Sequence, residues 1–200
     1  SMPVDVTVMR DYPALIDAQV SGRIEYAIYS ASAYGTAWLL CECVEPLVAP
    51  VQTNGATGIR SVLVMNANAT FTRMDLNGIR VGIPGKDSVF GFATPMAEYL
   101  VGSRTLNKTE SFLKHYPDME TTLSALSKGE VDGFFGWVSS DDKAAIASAG
   151  LMDHGTTQAI TVQCVTTDIK LPWTSSLHRF GPHAVRRNLP SEAKQTLIQF

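Results

Sequence analysis

The chain has 200 residues, of which 45% are hydrophobic and 18% charged, and its formal net charge at pH 7 is -3. This composition predicts a globular protein without the basic excess of nucleic-acid-binding proteins, so no nucleic acid partner is expected. No stretch approaches the roughly 20 apolar residues that a membrane span needs, and residues 1–3 lack the basic and apolar regions of a signal peptide.

Strands and helices alternate along the first half of the chain. Hydrophobic periodicity and turn residues predict strands at residues 4–9, 24–29, 44–51 and 61–65, and helices at residues 12–21 and 31–40. The next predicted strand, Val81–Ile83, is short and wholly apolar. It leads through a Pro84-Gly85 turn into a helix predicted at residues 92–100. Such alternation predicts an α/β fold with a parallel sheet.

The second half of the chain continues the alternation. The same signals predict strands at residues 111–114, 131–135, 159–165, 171–174 and 183–185, and helices at residues 119–127, 141–149 and 190–200.

One internal repeat indicates how these elements are grouped. When Gly22 is aligned with Gly129, an offset of 107 residues, each copy has a helix, a glycine just past its end, and a strand. Two similar units predict two lobes, an incomplete lobe 1 of residues 1–76 plus 171–200 and a lobe 2 of residues 77–170. The chain would pass between them twice, in a hinge of two crossover strands. A cleft between lobes is where small ligands usually bind.

Several segments resemble a known family, the periplasmic substrate-binding proteins of phosphate and phosphonate ABC transporters. The segments that carry the resemblance are residues 11–18, 22–34, 61–64, 76–82, 126–133, 173–176 and 181–190. The resemblance implies a type II periplasmic binding protein fold, a periplasmic location, a small anionic or polar ligand and a transporter permease as partner. It implies neither catalysis nor a cofactor.

Compared with the family, the chain is expected to lack the first strand and helix of lobe 1. An unpaired strand edge would remain, and a homodimer through that edge is expected.

Two helix starts are the predicted ligand sites, because a helix N-terminus offers free N–H groups to an anion. In lobe 2 the predicted contacts are Ser88 and the backbone of Val89, Phe90 and Gly91, which match a family loop rich in hydroxyls. In lobe 1 they are Ser30, Ser32 and Tyr34. The alternative for lobe 1 is a plain N-cap with a core tyrosine, and for lobe 2 an ordinary loop.

Further predicted contacts are Trp137, Trp173 and Ser175. Each tryptophan would either stack on a ligand or pack in the core. If the two tryptophans and Phe90 face the ligand, the ligand should carry an apolar or ring portion.

The three cysteines leave the redox state open. Cys41 and Cys43 are two residues apart, at the limit of disulfide geometry on an extended segment. Buried free thiols are the favoured interpretation, with a bridge from either residue to Cys164 or a metal site as alternatives. His178 and His183 lack an evident third ligand, so no metal site is expected.

Two other classes of function fit the same pattern. The fold could serve as the ligand-sensing domain of a regulator or receptor kinase, which the flanking sequence would reveal. It could also be an enzyme, such as a transferase of cofactor biosynthesis, although no catalytic motif is evident.

Overall fold

The computed structural model describes residues 4–66, 69, 76, 78–139 and 169–199. The chain divides into two compact units, with Ser1–Val51 and Arg179–Phe200 in unit 1 and Gln52–His178 in unit 2. These boundaries differ from the predicted lobes of residues 1–76 plus 171–200 and 77–170. The difference arises because the strands at Gly58–Asn66 and Ile169–Thr174 pair with each other inside unit 2.

The elements are numbered in chain order. The strands are β1 (Tyr26–Ile28), β2 (Val44–Val48), β3 (Gly58–Asn66), β4 (Val81–Ile83), β5 (Leu100–Val101), β6 (Arg104–Thr105), β7 (Leu113–His115), β8 (Gly133–Val138), β9 (Ile169–Thr174), β10 (His178–Arg179) and β11 (His183–Arg186). The helices are α1 (Tyr12–Val20), α2 (Ala31–Cys41), a π-helical turn (Val89–Ala93), α3 (Thr94–Glu98), α4 (Met119–Ser127) and α5 (Ser191–Gln199).

Unit 1 is built on an antiparallel sheet with the strand order β1-β11-β2. Its helix α1 begins where the Asp11 carboxylate accepts a hydrogen bond from the amide of Ala14 at 2.8 Å. Its buried core consists of Ile16, Ala27, Tyr29, Ala33, Ala37, Val44 and Ala184.

Unit 2 contains a mixed sheet in which the strands run in the order β3-β8-β4-β7, with β9 also paired to β3. Strand β4 is parallel to β7 and β8, whereas β3 is antiparallel to β8 and β9. The predicted parallel sheet is therefore confirmed around β4 and wrong at β3. Side chains of β3 alternate between two buried clusters, one with Leu63 and Met65 and the other with Val62 and Val64. Both faces of this sheet are thus covered.

The internal repeat is confirmed as a repeat of local structure. Helices α1 and α4 match at the offset of 107 residues along their whole length, with residues 12–20 aligned to residues 119–127. The N-cap residues Asp11 and Asp118 keep the same offset, and each carboxylate binds the amide three residues later. Both glycines after the helices have positive φ, 79° at Gly22 and 71° at Gly129. A side chain would be strained there, which explains the glycines.

Two predictions of local structure are wrong. Residues 4–9 form no strand, and the side chains of Val6 and Val8 are 85% and 90% exposed. The helix predicted at residues 92–100 starts earlier, as the π-helical turn, and α3 ends at Glu98. Alternation of apolar and polar residues indicates that a segment is suited to a strand. A strand forms only where it can hydrogen-bond to a neighbouring strand.

The prediction of free thiols is also wrong for two of the three cysteines, because Cys41 and Cys43 form a disulfide. Cys41 ends α2, and Glu42 turns the chain with a left-handed φ of 48°. This turn brings the two Cα atoms to 5.0 Å, closer than an extended segment allows.

Some predicted elements lie outside the described residues. They are the helix at residues 141–149, the strand at residues 159–165 and Cys164. Within the described part of the chain, no helix is long and apolar enough to cross a membrane.

Candidate functional site

The site predicted in unit 2 lies where β4 leads into the helical run of residues 89–98. The backbone of Ser88 is extended, and its Oγ accepts a hydrogen bond from the amide of Gly91 at 3.1 Å. The carbonyl of Ser88 accepts from the amides of Phe92 and Ala93. The amides of Val89 and Phe90 precede the first helical hydrogen bonds and bind no other described residue. Within the described part of the chain, these two N–H donors are therefore available for an anion or a polar group.

Close packing fixes the shape of this turn. A Cβ on Gly91 would lie 2.5 Å from Cγ of Pro84 and 2.7 Å from Oγ of Ser88. A Cβ on Gly85 would collide with the backbone oxygen of Pro117. Both positions therefore need glycine because there is no room for a side chain.

Three half-buried rings lie beside the turn, and we call Phe90, Trp137 and His178 the ring cluster. The centroid of Phe90 lies 6.5 Å from that of Trp137 and 5.6 Å from that of His178, the latter in an edge-to-face arrangement. Phe90 itself supplies one of the two available amides, so an anion held there would have aromatic surface next to it. Of the two predicted tryptophans, Trp137 is the one that lies at this turn.

A carboxylate holds one member of the ring cluster in place. Glu98 accepts hydrogen bonds from the Ser176 amide at 2.8 Å, from Oγ of Ser176 at 2.7 Å and from Nε2 of His178 at 3.1 Å. Burial alone would raise the pKa of Glu98, but these hydrogen bonds outweigh it and the net pKa lies below the usual range. An ionised carboxylate only accepts, so Nε2 of His178 carries the proton.

Sequence reasoning missed Glu98. The sequence does contain a signal for it, because an acidic residue at the last position of a helix opposes the helix dipole and needs compensating partners. Its partners Ser176 and His178 lie 78 and 80 residues further along the chain.

The surroundings of Trp173 and Ser175 differ from those of the Ser88 turn. Trp173 is 5% exposed, and its ring packs edge-to-face against Tyr99 and Phe135 at 5.3 and 5.9 Å. Ser175 is buried, and its Oγ accepts from the amide of Ser61 at 2.9 Å. Packing accounts for Trp173, and strand pairing accounts for Ser175. For Trp173, this is the core role that is one of its two interpretations from sequence.

Unit 1 contains a similar helix start, at Ser30. Oγ of Ser30 accepts from the amide of Ala33 at 3.2 Å and lies 3.3 Å from Oγ of Ser32. The ring of Tyr34 packs on buried Tyr29 with centroids 6.5 Å apart, and burial raises the pKa of both phenols, that of Tyr29 to about 12. Ser30 therefore has the N-cap role that is one of its two interpretations, and its hydroxyl geometry matches that of Ser88.

The two predicted loop histidines make separate contacts. His178 binds Glu98, while the ring of His183 packs edge-to-face on Tyr26 with centroids 5.7 Å apart. Among the residues that the structure describes, no three His, Cys, Asp or Glu side chains are grouped so as to hold a metal ion.

Comparison with known proteins gives a family match over the whole chain. The family described as "ABC transporter, phosphonate, periplasmic substrate-binding protein" matches residues 1–200. No curated protein sequence matches the chain.

Among solved structures, a binding protein component of an ABC phosphonate transporter from Pseudomonas aeruginosa is similar, with a TM-score of 0.50 and 19% identity. The match covers 96% of this chain and 60% of that protein, so this chain spans about three fifths of its length. A Xanthomonas citri protein bound to ATP gives a TM-score of 0.49 at 11% identity, covering 96% of this chain and 68% of that one. The predicted type II periplasmic binding protein fold is confirmed.

Proposed function

Because the chain belongs to the family of periplasmic substrate-binding proteins of phosphonate ABC transporters, we propose that it binds a small organic anion in the periplasm and delivers it to a transporter permease. The family is one of binding components rather than enzymes, so the role requires recognition and release but no chemical step. The observation that carries the proposal is the Ser88 turn with its two available amides.

The ring cluster narrows the expected ligand. Phosphonate and sulfonate groups are tetrahedral anions that accept several hydrogen bonds, which suits the amides of Val89 and Phe90 and the hydroxyl of Ser88. The rings of Phe90 and Trp137 would pack on the organic part of the ligand. An aromatic contact contributes about 0.5–1.5 kcal/mol beyond its buried area. We therefore expect aryl phosphonates to bind more tightly than inorganic phosphate or methylphosphonate.

Ser30, Ser32 and Tyr34 are proposed as ligand contacts supplied by unit 1. Support comes from a similarity in local structure, since the hydroxyls of Ser30 and Ser88 each cap a helix and accept a hydrogen bond from the amide three residues later. Trp173 and Ser175 remain predicted contacts, but their buried positions support packing roles.

Isothermal titration calorimetry tests the proposal with phenylphosphonate, methylphosphonate, benzenesulfonate and phosphate as probes. We expect phenylphosphonate to bind roughly threefold to tenfold more tightly than methylphosphonate. Ser88→Ala should weaken binding about tenfold, because it removes a hydroxyl and loosens the turn. Ser127→Ala, an exposed serine at the end of α4, is the matched control and should bind as the unchanged protein does.

Ser30→Ala examines unit 1 in the same assay. Weaker binding would support Ser30 as a ligand contact, and unchanged binding would remove Ser30 from the proposed contacts. A folded protein that gives no heat with any of the four probes would count against the proposed ligand class as a whole.

A further inference from the structure

A histidine beside the Ser88 turn is held by a carboxylate. Nε2 of His178 donates a hydrogen bond to the ionised carboxylate of Glu98 at 3.1 Å. With Nε2 engaged in this way, Nδ1 is the ring atom that takes up or releases a proton. The side chain of His178 is 35% exposed, so its ring is in reach of solvent. Histidine is the side chain whose ordinary titration range includes neutral pH.

This histidine also contacts a residue of the anion site. The rings of His178 and Phe90 pack edge-to-face with centroids 5.6 Å apart, and the amide of Phe90 is one of the two available donors. The carboxylate, the imidazole and the amide therefore belong to one small group of residues in unit 2.

The charged groups around His178 differ in whether they can titrate. Glu98 on α3 is kept ionised by its hydrogen bonds, which hold its pKa below the usual range. Arg179 follows His178 in the chain, and Arg60 on β3 donates from Nη1 to the carbonyl of Ser175 at 2.9 Å. Arginine keeps its charge in proteins. The turn at residues 89–93 and strand β8 contribute only uncharged side chains. Among these described residues, His178 is therefore the group that can change its charge near neutral pH.

We propose that His178 is a contact for the anionic group of the ligand and takes up a proton from solvent as the ligand binds. This role rests on the proposed function, since it assigns a further residue to the same anion site. The protonated ring donates from both nitrogens, with Nε2 bound to Glu98 and Nδ1 bound to an oxygen of the anion. A neighbouring anion in turn stabilises the charged ring. An imidazolium about 5–8 Å from an anion strengthens binding by roughly threefold to tenfold.

Proton uptake makes the affinity depend on pH. A fully ionised anion should bind more tightly as pH falls, by about twofold to sixfold between pH 8 and pH 6. Benzenesulfonate is the probe of choice because it stays ionised throughout this range. A phosphonate gains a proton of its own in the same range, which would obscure the contribution of the histidine.

Isothermal titration calorimetry of the whole chain with benzenesulfonate measures the uptake. The titration is run at pH 7 in bis-Tris, imidazole and Tris, because sulfonate buffers would compete for the site. The observed enthalpy should vary linearly with the ionisation enthalpy of the buffer, with a slope of roughly 0.3–0.5 proton per bound anion. The unaltered protein is used, so this result does not depend on how a variant folds.

His178→Phe keeps an aromatic ring but cannot take up a proton. Its slope should fall to zero, and its affinity for benzenesulfonate should no longer depend on pH. The matched control is His115→Phe, since His115 is an exposed histidine on β7 whose Nε2 binds the carbonyl of Lys108. This control should behave as the unaltered protein does. Nitrogen NMR of the histidine rings should show the Nε2–H tautomer of His178 in the free protein and the doubly protonated ring in the complex.

The outcomes separate this role from the proposed function. Binding with the same enthalpy in all three buffers, or proton uptake that persists in His178→Phe, would overturn the role of His178 and leave the proposed ligand class intact. If neither benzenesulfonate nor phenylphosphonate binds, the proposed function fails and the role of His178 fails with it. If only phenylphosphonate binds, the difference in slope between the unaltered protein and His178→Phe measures the uptake by the histidine, and a difference of zero would overturn its role.

Discussion

Replacing Gly91 with alanine tests whether close packing at the Ser88 turn sets the shape of the site. Gly91 lies in the π-helical turn and has no positive φ, so the backbone preference of alanine alone would stabilise the helical run by about 0.5–1 kcal/mol. The lack of room around Gly91 opposes this gain in stability. The new Cβ would lie 2.5 Å from Cγ of Pro84, which is fixed to its backbone, and 2.7 Å from Oγ of Ser88.

The size of the expected destabilisation depends on which neighbouring atoms must move to make room for the new Cβ. Overpacking of this kind costs about 1–3 kcal/mol. Rotating the Ser88 hydroxyl away sacrifices the N-cap bond to the Gly91 amide, worth about 1 kcal/mol. The flexible Met119 side chain, 3.3 Å away, yields at little cost. After the helical gain is subtracted, Gly91→Ala should destabilise unit 2 by about 1–3 kcal/mol, which lowers Tm by roughly 3–10 °C in a chain of this length.

Differential scanning calorimetry measures the shift, and titration with phenylphosphonate measures the accompanying loss of affinity. Gly35→Ala is the comparison, because Gly35 lies inside α2 and a Cβ added there would have no atom within 4 Å. This variant should raise Tm by about 1–4 °C. If Gly91→Ala stabilises the protein as Gly35→Ala does, the argument from close packing at this turn is wrong.

Three further outcomes are expected. Trp173→Phe should lower the free energy of unfolding by about 1–3 kcal/mol and leave phenylphosphonate affinity unchanged, whereas lost affinity at unchanged stability would assign Trp173 to the site. The pKa of Glu98 is lowered in the folded protein. Its contribution to the stability of the fold is therefore complete above the usual pKa of 4.5 and is lost as pH falls through the lowered pKa. When denaturation is measured from pH 3 to pH 7, the free energy of unfolding of Glu98→Gln should therefore fall less steeply at acid pH than that of the unchanged protein. The same pH dependence in both proteins would contradict the hydrogen-bond assignment. Cys43→Ser should lower the free energy of unfolding by at most about 1.6 kcal/mol, because the loop closed with Cys41 is very short. If mass spectrometry of the unreduced protein finds both thiols alkylated, the disulfide is refuted.

Local signals are sufficient for the elements that depend on local interactions. The sequence predicts helix α4 at its observed bounds, because an apolar periodicity and a glycine after the last turn agree. It predicts strand β4 correctly for a similar reason, since the short apolar run of Val81–Ile83 fits a strand buried on both faces. The serine caps of α2 and the Ser88 turn can also be found from sequence, because an N-cap bond joins residues only three apart.

Contacts between distant parts of the chain cannot be predicted in this way. The Glu98 carboxylate meets His178 across 80 residues, and the ring cluster joins three separate segments. The Cys41–Cys43 disulfide depends on the left-handed turn at Glu42, which a non-glycine residue adopts rarely.

The sequence by itself therefore determined the repeated helix and strand units, their caps and the family of the chain, because these follow from patterns over short stretches. Only the tertiary structure decided which rings lie beside the Ser88 turn and which tryptophan packs in the core. Residues 4–9 illustrate the reason. Their alternation suits a strand, but the free energy of a strand comes from hydrogen bonds to a neighbour, and the presence of that neighbour is a property of the assembled fold.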